Sequence, residues 1–200
     1  MRWISIAIVL VGCGSQIATV PPDAAALDGR PSPIDAPYTT FILTSPVIAA
    51  GAAIPVDNTC DGNNVSPALA WNGGPASAMS FAVILTDKAV DQVQWVIYDI
   101  PATRTALPAN IDRSYAPSNV SGAHQTMSYQ PTKRGYRGPC PPLGDAAHGY
   151  EFAVYALDVA TLPSTNSNTP IDQAAATIVQ HQIDLAKLHG TYARLAQPMN

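Results

Sequence analysis

The stretch GYRGPCPPLGDAAHGYEFAVYALD, from Gly135 to Asp158, places a stiff loop directly before a strand-like run. Three of its first eight residues are prolines, and each proline fixes its backbone φ angle. The following run is rich in Tyr, Phe and Val and is bounded by Gly and Asp, which predicts a β-strand. His148 and Tyr150 lie at the junction. Taken alone, these two side chains fit a binding site or ordinary packing, with His148 bonded to a loop carbonyl and Tyr150 in the core.

Other segments carry the same strand pattern. Short runs of Val, Ile, Phe, Tyr and Thr between Gly, Pro, Asn or Asp occur at Thr39–Val47, Ser80–Asp87, Val93–Pro101 and Tyr150–Asp158. Together with 19 prolines and only 12% charged residues, they predict a mostly β protein with an antiparallel sheet.

One helix is predicted late in the chain, between Thr169 and Gly190. Thr169 is a suitable N-cap, Pro170 suits the first helical position, and Gly190 suits the end. Apolar side chains that fall on roughly one side of this helix are Ile171, Ala174, Ile178 and Leu185.

Length and charge limit the classes of function. A chain of 200 residues that is 47% hydrophobic is large enough for one domain with a substantial core. The net charge is −4, and the ten Lys and Arg are scattered along the chain. Nucleic acid is therefore not an expected partner, because binding to it requires a basic patch.

The first 37 residues predict export and anchoring. A positive start, Met1-Arg2, precedes a short apolar run, which is the pattern of a signal peptide. The run ends in LVGC, Leu10 to Cys13, which resembles the bacterial lipoprotein box; the alternative is a chance cysteine in an ordinary signal peptide. We expect a signal peptide at 1–12, a flexible lipid-anchored tether at 13–37 and a folded domain at 38–200. With Gly14 after the lipidated Cys13, the expected location is the bacterial outer membrane, facing the periplasm.

The sequence lacks several catalytic motifs. G-x-S-x-G, H-E-x-x-H and C-x-x-C do not occur in it, and neither does a glycine-rich phosphate loop. We therefore expect no enzyme, no metal and no cofactor. Cys60 and Cys140 both lie in loops rich in Pro, Gly or Asp, and in an exported protein they form either a disulfide or two free thiols.

Six segments in order resemble the phosphatidylethanolamine-binding protein family, in its bacterial branch similar to Raf kinase inhibitor proteins. The resemblance covers residues 41–194. It is carried by TCDGNNVSPALAW (59–71), SFAVILTD (80–87), QWVIYDIPA (94–102), YRGPCPP (136–142), HGYEFAVYALD (148–158) and LHGTYAR (188–194).

The resemblance implies a β-sandwich-like fold with a central antiparallel sheet, a few peripheral helices and a small anion pocket at one end. It also implies that the Cys60 and Cys140 loops meet at one end of the molecule. The expected function is non-catalytic binding of a small anionic or phosphorylated ligand. Two alternatives are an inhibitor or modulator of a protein partner, acting through the pocket rim, and an enzyme using Asp87, His148 and Tyr150 as acid and base. The ligand-binding residues implied by the resemblance are Asp87, Gln94, Trp95, Gly138, Cys140, His148 and Tyr150.

Three departures from the family pattern affect this pocket. Ala89 stands where a second aspartate is usual, Gln94 replaces a histidine, and Gly149 replaces the arginine of a His-Arg-Tyr triplet. Glutamine donates a neutral hydrogen bond but cannot become a cation. We therefore expect weak affinity for a phosphorylated ligand.

Overall fold

Two antiparallel sheets make up the part of the chain that the computed structural model describes, residues 40–195. The predicted signal peptide, the tether, Cys13 and the two ends of the predicted 38–200 domain lie outside these residues. The strands are β1 (Ile42–Thr44), β2 (Leu69–Asn72), β3 (Ser80–Asp87), β4 (Gln92–Pro101), β5 (Ala106–Leu107), β6 (His124–Gln125), β7 (His148–Leu157) and β8 (Gln182–Tyr192). One α-helix, α1 (Ile171–Gln180), and a 3₁₀ helix (Val56–Asn58) accompany them.

The larger sheet has five strands in the order β6-β4-β3-β7-β8. Its central strand, β3, is buried at every residue except Thr86, which is half-buried. Such a continuous apolar run is expected when both faces of a strand are covered. The smaller sheet has three strands in the order β1-β2-β5.

Apolar clusters cover both faces of the five-stranded sheet. On one face, Phe81 packs against Phe41 and Trp71, with ring centroids 6.1 and 5.4 Å away, and this cluster fills the space between the two sheets. On the other face, Ala174 and Ile178 of α1 pack over the sheet. The predicted mostly β architecture with a central antiparallel sheet is confirmed.

The predicted helix at 169–190 is wrong in its second half. The segment from Gln182 onward is strand β8, which pairs with β7 along its length, and Gly190 lies within that strand opposite Tyr150. Burial alternates from Ala186 to Gly190 with a period of two residues, and pairing with β7 satisfies the backbone groups of this segment.

Two further local predictions need correction. Thr169 does not cap α1, because its hydroxyl accepts a hydrogen bond from the Asn166 backbone N–H at 2.8 Å, and the helix begins at Ile171, after Pro170. The strand predicted at Thr39–Val47 is only Ile42–Thr44 among the described residues. Pro46 has no N–H for a ladder hydrogen bond, which is consistent with the early end.

Candidate functional site

The candidate site lies where β3 ends and β7 begins. In the antiparallel pairing of these strands, Asp87 is directly opposite Tyr150. His148 is two residues before Tyr150 on β7, so strand alternation places it on the same face as Tyr150. The fold thus brings together Asp87, His148 and Tyr150, three of the residues predicted from the sequence.

Asp87 and His148 form a close pair. The Nδ1 atom of His148 lies 2.9 Å from Oδ2 of Asp87, and Oδ1 of Asp87 accepts a hydrogen bond from the Ala89 backbone N–H at 3.0 Å. The Asp87 side chain is 4% exposed and the His148 side chain 12%. Because Nδ1 is engaged, Nε2 is the ring nitrogen of His148 that remains for another partner.

Tyr150 contributes a hydroxyl that has no hydrogen-bond partner in the described part of the chain. Its side chain is fully buried, and the hydroxyl oxygen is among the buried unpaired atoms. Burial, together with the Asp87 carboxylate, raises the pKa of Tyr150 far above its ordinary value, whereas the backbone of Cys140 lowers it. Tyr150 therefore remains a protonated donor, and both Asp87 and the Cys140 backbone are close enough to influence it.

His148 and Tyr150 also lie side by side as rings. Their ring centroids are 6.3 Å apart, with an angle of 25° between the planes. This stacked arrangement leaves the two side chains facing the same region beside Asp87. A small anion needs several converging donors on rigid backbone, and this end of the sheet supplies two side chains of that kind.

Gln94 lies in a β-bulge near the start of β4. Trp95 pairs with Leu85 and Val93 pairs with Thr86, so Gln94 between them has no direct partner on β3. The Gln94 side chain is buried, and its Oε1 has no hydrogen-bond partner among residues 40–195. It is thus an unsatisfied polar group near the Asp87 end of the sheet.

Trp95 is committed to the core. Its indole N–H donates to Oε1 of Gln125 at 2.7 Å, and its ring meets the edge of Tyr136 with centroids 5.3 Å apart. Gln125 in turn donates to the carbonyls of Asp112 and Ser114. Trp95 has no free polar atom for the ligand-binding role predicted for it, so it would contribute to a site only through packing.

The GPCPP loop is fixed at several points. Cys60 and Cys140 form a disulfide, which was one of the two alternatives predicted from the sequence. The Cys60 backbone N–H also donates to the Pro139 carbonyl at 3.1 Å. The Gly138 N–H donates to Oδ1 of Asn64 at 2.8 Å. These contacts attach the loop to the 58–64 segment, so the resemblance was correct in placing the two loops together.

Gly138 and Cys140 could contribute to the site in different ways. The Gly138 N–H is already used by Asn64, and a Cβ at position 138 would overlap the Asn58 carbonyl, so glycine is required there for close approach. Cys140 has its sulfur in the disulfide and its backbone beside Tyr150. Any contact of Cys140 with a ligand would therefore be through its backbone N–H.

Several residues around this loop were missed from the sequence. Asn64 and Arg137 lie in two of the segments that carry the resemblance, 59–71 and 136–142, but the resemblance gave their side chains no role. Arg113 and Gln125 lie outside all six segments, and no local signal identifies them as partners of the loop. Within residues 40–195, no group of three or more His, Cys, Asp or Glu side chains could hold a metal ion. In the same part of the chain, no helix has the length and apolarity needed to cross a membrane.

Comparisons with known proteins agree on one family. The family model described as phosphatidylethanolamine-binding protein matches residues 44–193. A UPF0098 protein of Methanothermobacter thermautotrophicus is 37% identical over 146 residues, covering 70% of this chain and 91% of that protein. LppC of Mycobacterium tuberculosis, named as a candidate lipoprotein, is 32% identical over 200 residues, and this match covers 94% of this chain and 92% of LppC.

Two solved structures share the fold. Escherichia coli YbcL, described as a member of the mammalian PEBP family, superposes with a TM-score of 0.70 at 30% identity, over 76% of this chain and 98% of YbcL. CT736 from Chlamydia trachomatis, described as a PEBP homologue, gives a TM-score of 0.64 at 29% identity, over 78% of this chain and 99% of CT736. The fold implied by the sequence resemblance is therefore confirmed.

Proposed function

Because the chain belongs to the phosphatidylethanolamine-binding protein family, we propose that it is a non-catalytic binding protein for a small anionic or phosphoryl group. The group would be held beside Asp87, His148 and Tyr150. The observation that carries this proposal is the buried Tyr150 hydroxyl, which makes no hydrogen bond of ordinary length within residues 40–195 but lies close to the Asp87 carboxylate and the Cys140 backbone, next to the His148–Asp87 pair. A buried donor without a partner costs free energy that a bound acceptor would recover.

The available donors suit an anion. Tyr150 offers an O–H that stays protonated, Cys140 offers a backbone N–H, and His148 offers Nε2–H when its imidazole is protonated. Asp87 holds the His148 ring through Nδ1, which fixes the direction of Nε2. The Asp87 carboxylate also repels an anion, so the expected affinity is weak.

Gln94 weakens the site further. An imidazolium at this position would add a charge-assisted hydrogen bond that a neutral amide cannot make. Loss of one such bond corresponds to about 1.5–3 kcal/mol, or about a tenfold to a hundredfold loss of affinity. The departure at Gln94 is therefore the main reason to expect weak binding.

The test is calorimetric titration of the full chain with inorganic phosphate and with phosphoethanolamine. We expect His148→Ala to weaken binding and Gln94→His to strengthen it by about tenfold or more. His181→Ala is the matched control, because His181 also pairs through Nδ1 with an aspartate, Asp158, at 2.8 Å, and this pair lies beyond the opposite end of β7, between the end of α1 and the start of β8.

If His148→Ala and Gln94→His both leave the affinity unchanged, the anion site is wrong. The alternative function, modulation of a protein partner through the rim of the same region, would then replace it. A turnover of phosphoethanolamine by the wild-type chain that is lost in His148→Ala would instead contradict the non-catalytic assignment.

We also propose that the protein is lipid-anchored in the cell envelope, at the outer membrane and facing the periplasm. The Leu10–Cys13 box supports this placement. The likeness to LppC, which extends over 94% of the chain, supports the lipid anchor, and Gly14 after Cys13 is the basis for the outer membrane.

A further inference from the structure

Two arginines next to the GPCPP loop lack carboxylate partners. Lys88, Lys187 and Arg194 each lie within 3.0 Å of an Asp or Glu oxygen. Among residues 40–195, Arg113 and Arg137 form no such ion pair, and neither do Arg104, Lys133 and Arg134. Both side chains are partly buried, and a guanidinium removed from water normally needs an opposite charge or a full set of acceptors.

Asn64 holds the two arginine-bearing segments together. Its backbone carbonyl accepts a hydrogen bond from Nη2 of Arg113, and its side-chain Oδ1 accepts from the Gly138 N–H, adjacent to Arg137. The Arg113 backbone also lies close to Gly135, two residues before Arg137, since a Cβ at Gly135 would lie 3.1 Å from the Arg113 Cα. The arginines are thus positioned by backbone and amide contacts.

The charge of Arg137 acts on Arg113. Burial lowers the pKa of Arg113, and the nearby charge of Arg137 lowers it further. In addition, the Nε atom of Arg137 is buried and has no hydrogen-bond partner among the described residues. A buried N–H without an acceptor is unfavourable, and a bound anion would both accept it and offset the charge that Arg137 exerts on Arg113.

We propose that Arg113 and Arg137 form a second binding site, which takes a small oxyanion. A phosphate, sulfate or carboxylate group offers paired oxygens that match the N–H fork of a guanidinium. The oxyanion would accept the Nε–H of Arg137 and offset the positive charge of both arginines. This site is built from different residues than the Asp87 cluster, and it needs no titratable imidazole.

The first test follows the arginine Nε–Hε signals of the full chain by ¹H–¹⁵N NMR. Phosphate, sulfate and acetate are added separately, with sodium chloride as the ionic-strength control. We expect the Arg137 Nε–Hε signal to shift saturably with at least one oxyanion and not with chloride. The order of the three affinities identifies the preferred oxyanion. A shift that never saturates, or that chloride reproduces, means that water alone satisfies Arg137 and overturns the proposal.

The second test uses variants and thermal stability. A bound anion raises Tm, so the preferred oxyanion should stabilise the wild type and lose about tenfold or more of its affinity in Arg137→Gln. Arg137→Lys keeps the charge but removes the Nε donor, and it should bind more weakly than the wild type. Arg104→Gln removes one arginine charge elsewhere and should match the wild type; an equal loss in Arg104→Gln and Arg137→Gln would show only a general charge effect and contradict the site.

A further variant separates this proposal from the proposed function. His148→Ala removes the imidazole of the Asp87 cluster and should leave the Arg137 Nε–Hε titration unchanged. If His148→Ala abolishes that titration, the two sites are one, and the second site is wrong while the first stands. If His148→Ala leaves every affinity unchanged and Arg137→Gln does not, the first site is wrong and the second stands.

Discussion

Tyr150 of β7 lies directly opposite Asp87 of β3, although 63 positions separate them in the chain (150 − 87). Directly opposed residues on neighbouring antiparallel strands share one face of the sheet. The register therefore brings the Tyr150 hydroxyl and the Asp87 carboxylate together, and His148 joins them at 2.9 Å from Asp87. A slip of one residue in this pairing would turn the His148 and Tyr150 side chains to the other face.

Alanine at two glycine positions should change the stability of the fold differently. Gly138→Ala would force a Cβ into the Asn58 carbonyl, and we expect the free energy of unfolding to fall by about 1–3 kcal/mol. Gly149→Ala is the control, because a Cβ there meets nothing within 4 Å, and it should be neutral or stabilise by about 0.4–1 kcal/mol. Urea unfolding of both variants measures the difference. Equal destabilisation by the two changes would contradict the close approach at Gly138.

Alkaline pH should destabilise the fold. Burial raises the pKa of Tyr98, Tyr136 and Tyr150 above the ordinary value, which is about 10. Above that pH the native state holds more protons than the unfolded state, so the free energy of unfolding falls as pH rises. The stabilisation is fully present below about pH 10.

Thermal unfolding from about pH 8 to about pH 11 tests this prediction. Tm should decline once the pH exceeds the tyrosine pKa of the unfolded chain. Tyr98→Phe should make the decline shallower, because it removes one of the three buried phenol groups. A constant Tm over the whole range would be incompatible with the buried, unionised tyrosines.

The Cys60–Cys140 disulfide should contribute substantially to stability. It joins residues 80 positions apart, and closing a loop of that length stabilises by about 4 kcal/mol in the chain-entropy model. Replacing both cysteines by serine should lower the free energy of unfolding by a similar amount, which urea unfolding would show as a lower midpoint. A reductant should destabilise the wild type and leave the double variant unaffected. Recovery of both thiols free in non-reducing peptide mapping of exported protein would contradict the bond.

Membrane attachment should depend on Cys13. In a Gram-negative host the full chain should fractionate with membranes, because two or three acyl chains anchor a protein stably. Cys13→Ser should leave the signal peptide uncleaved or the product unlipidated, and Ser15→Ala is a nearby control that keeps the box intact. Mass spectrometry that finds an unmodified Cys13 in the membrane fraction would refute the anchor.

The sequence by itself predicted the three long strands β3, β4 and β7 and, through the family resemblance, the residues proposed for the first site. Ser80–Asp87 and Val93–Pro101 are buried strands whose composition is sufficient to predict them, and β3 has the predicted bounds. The order of six segments also indicated the family and therefore the fold. These features are readable because strand propensity and motif order are properties of contiguous residues.

Only the tertiary structure decided what depends on distant partners. Gln182–Tyr192 is a strand because β7 is there to pair with it, while its apolar spacing also fits a helix. Trp95 has no polar group left for a ligand, because its indole N–H donates to Oε1 of Gln125, 30 positions away. Asn64 joins the segments of Arg113 and Arg137, which are 24 positions apart in the chain (137 − 113), through its backbone carbonyl and its side-chain oxygen. Hydrogen bonds and charge pairs of this kind join residues far apart in the chain, and no local pattern records which partner each polar group will find.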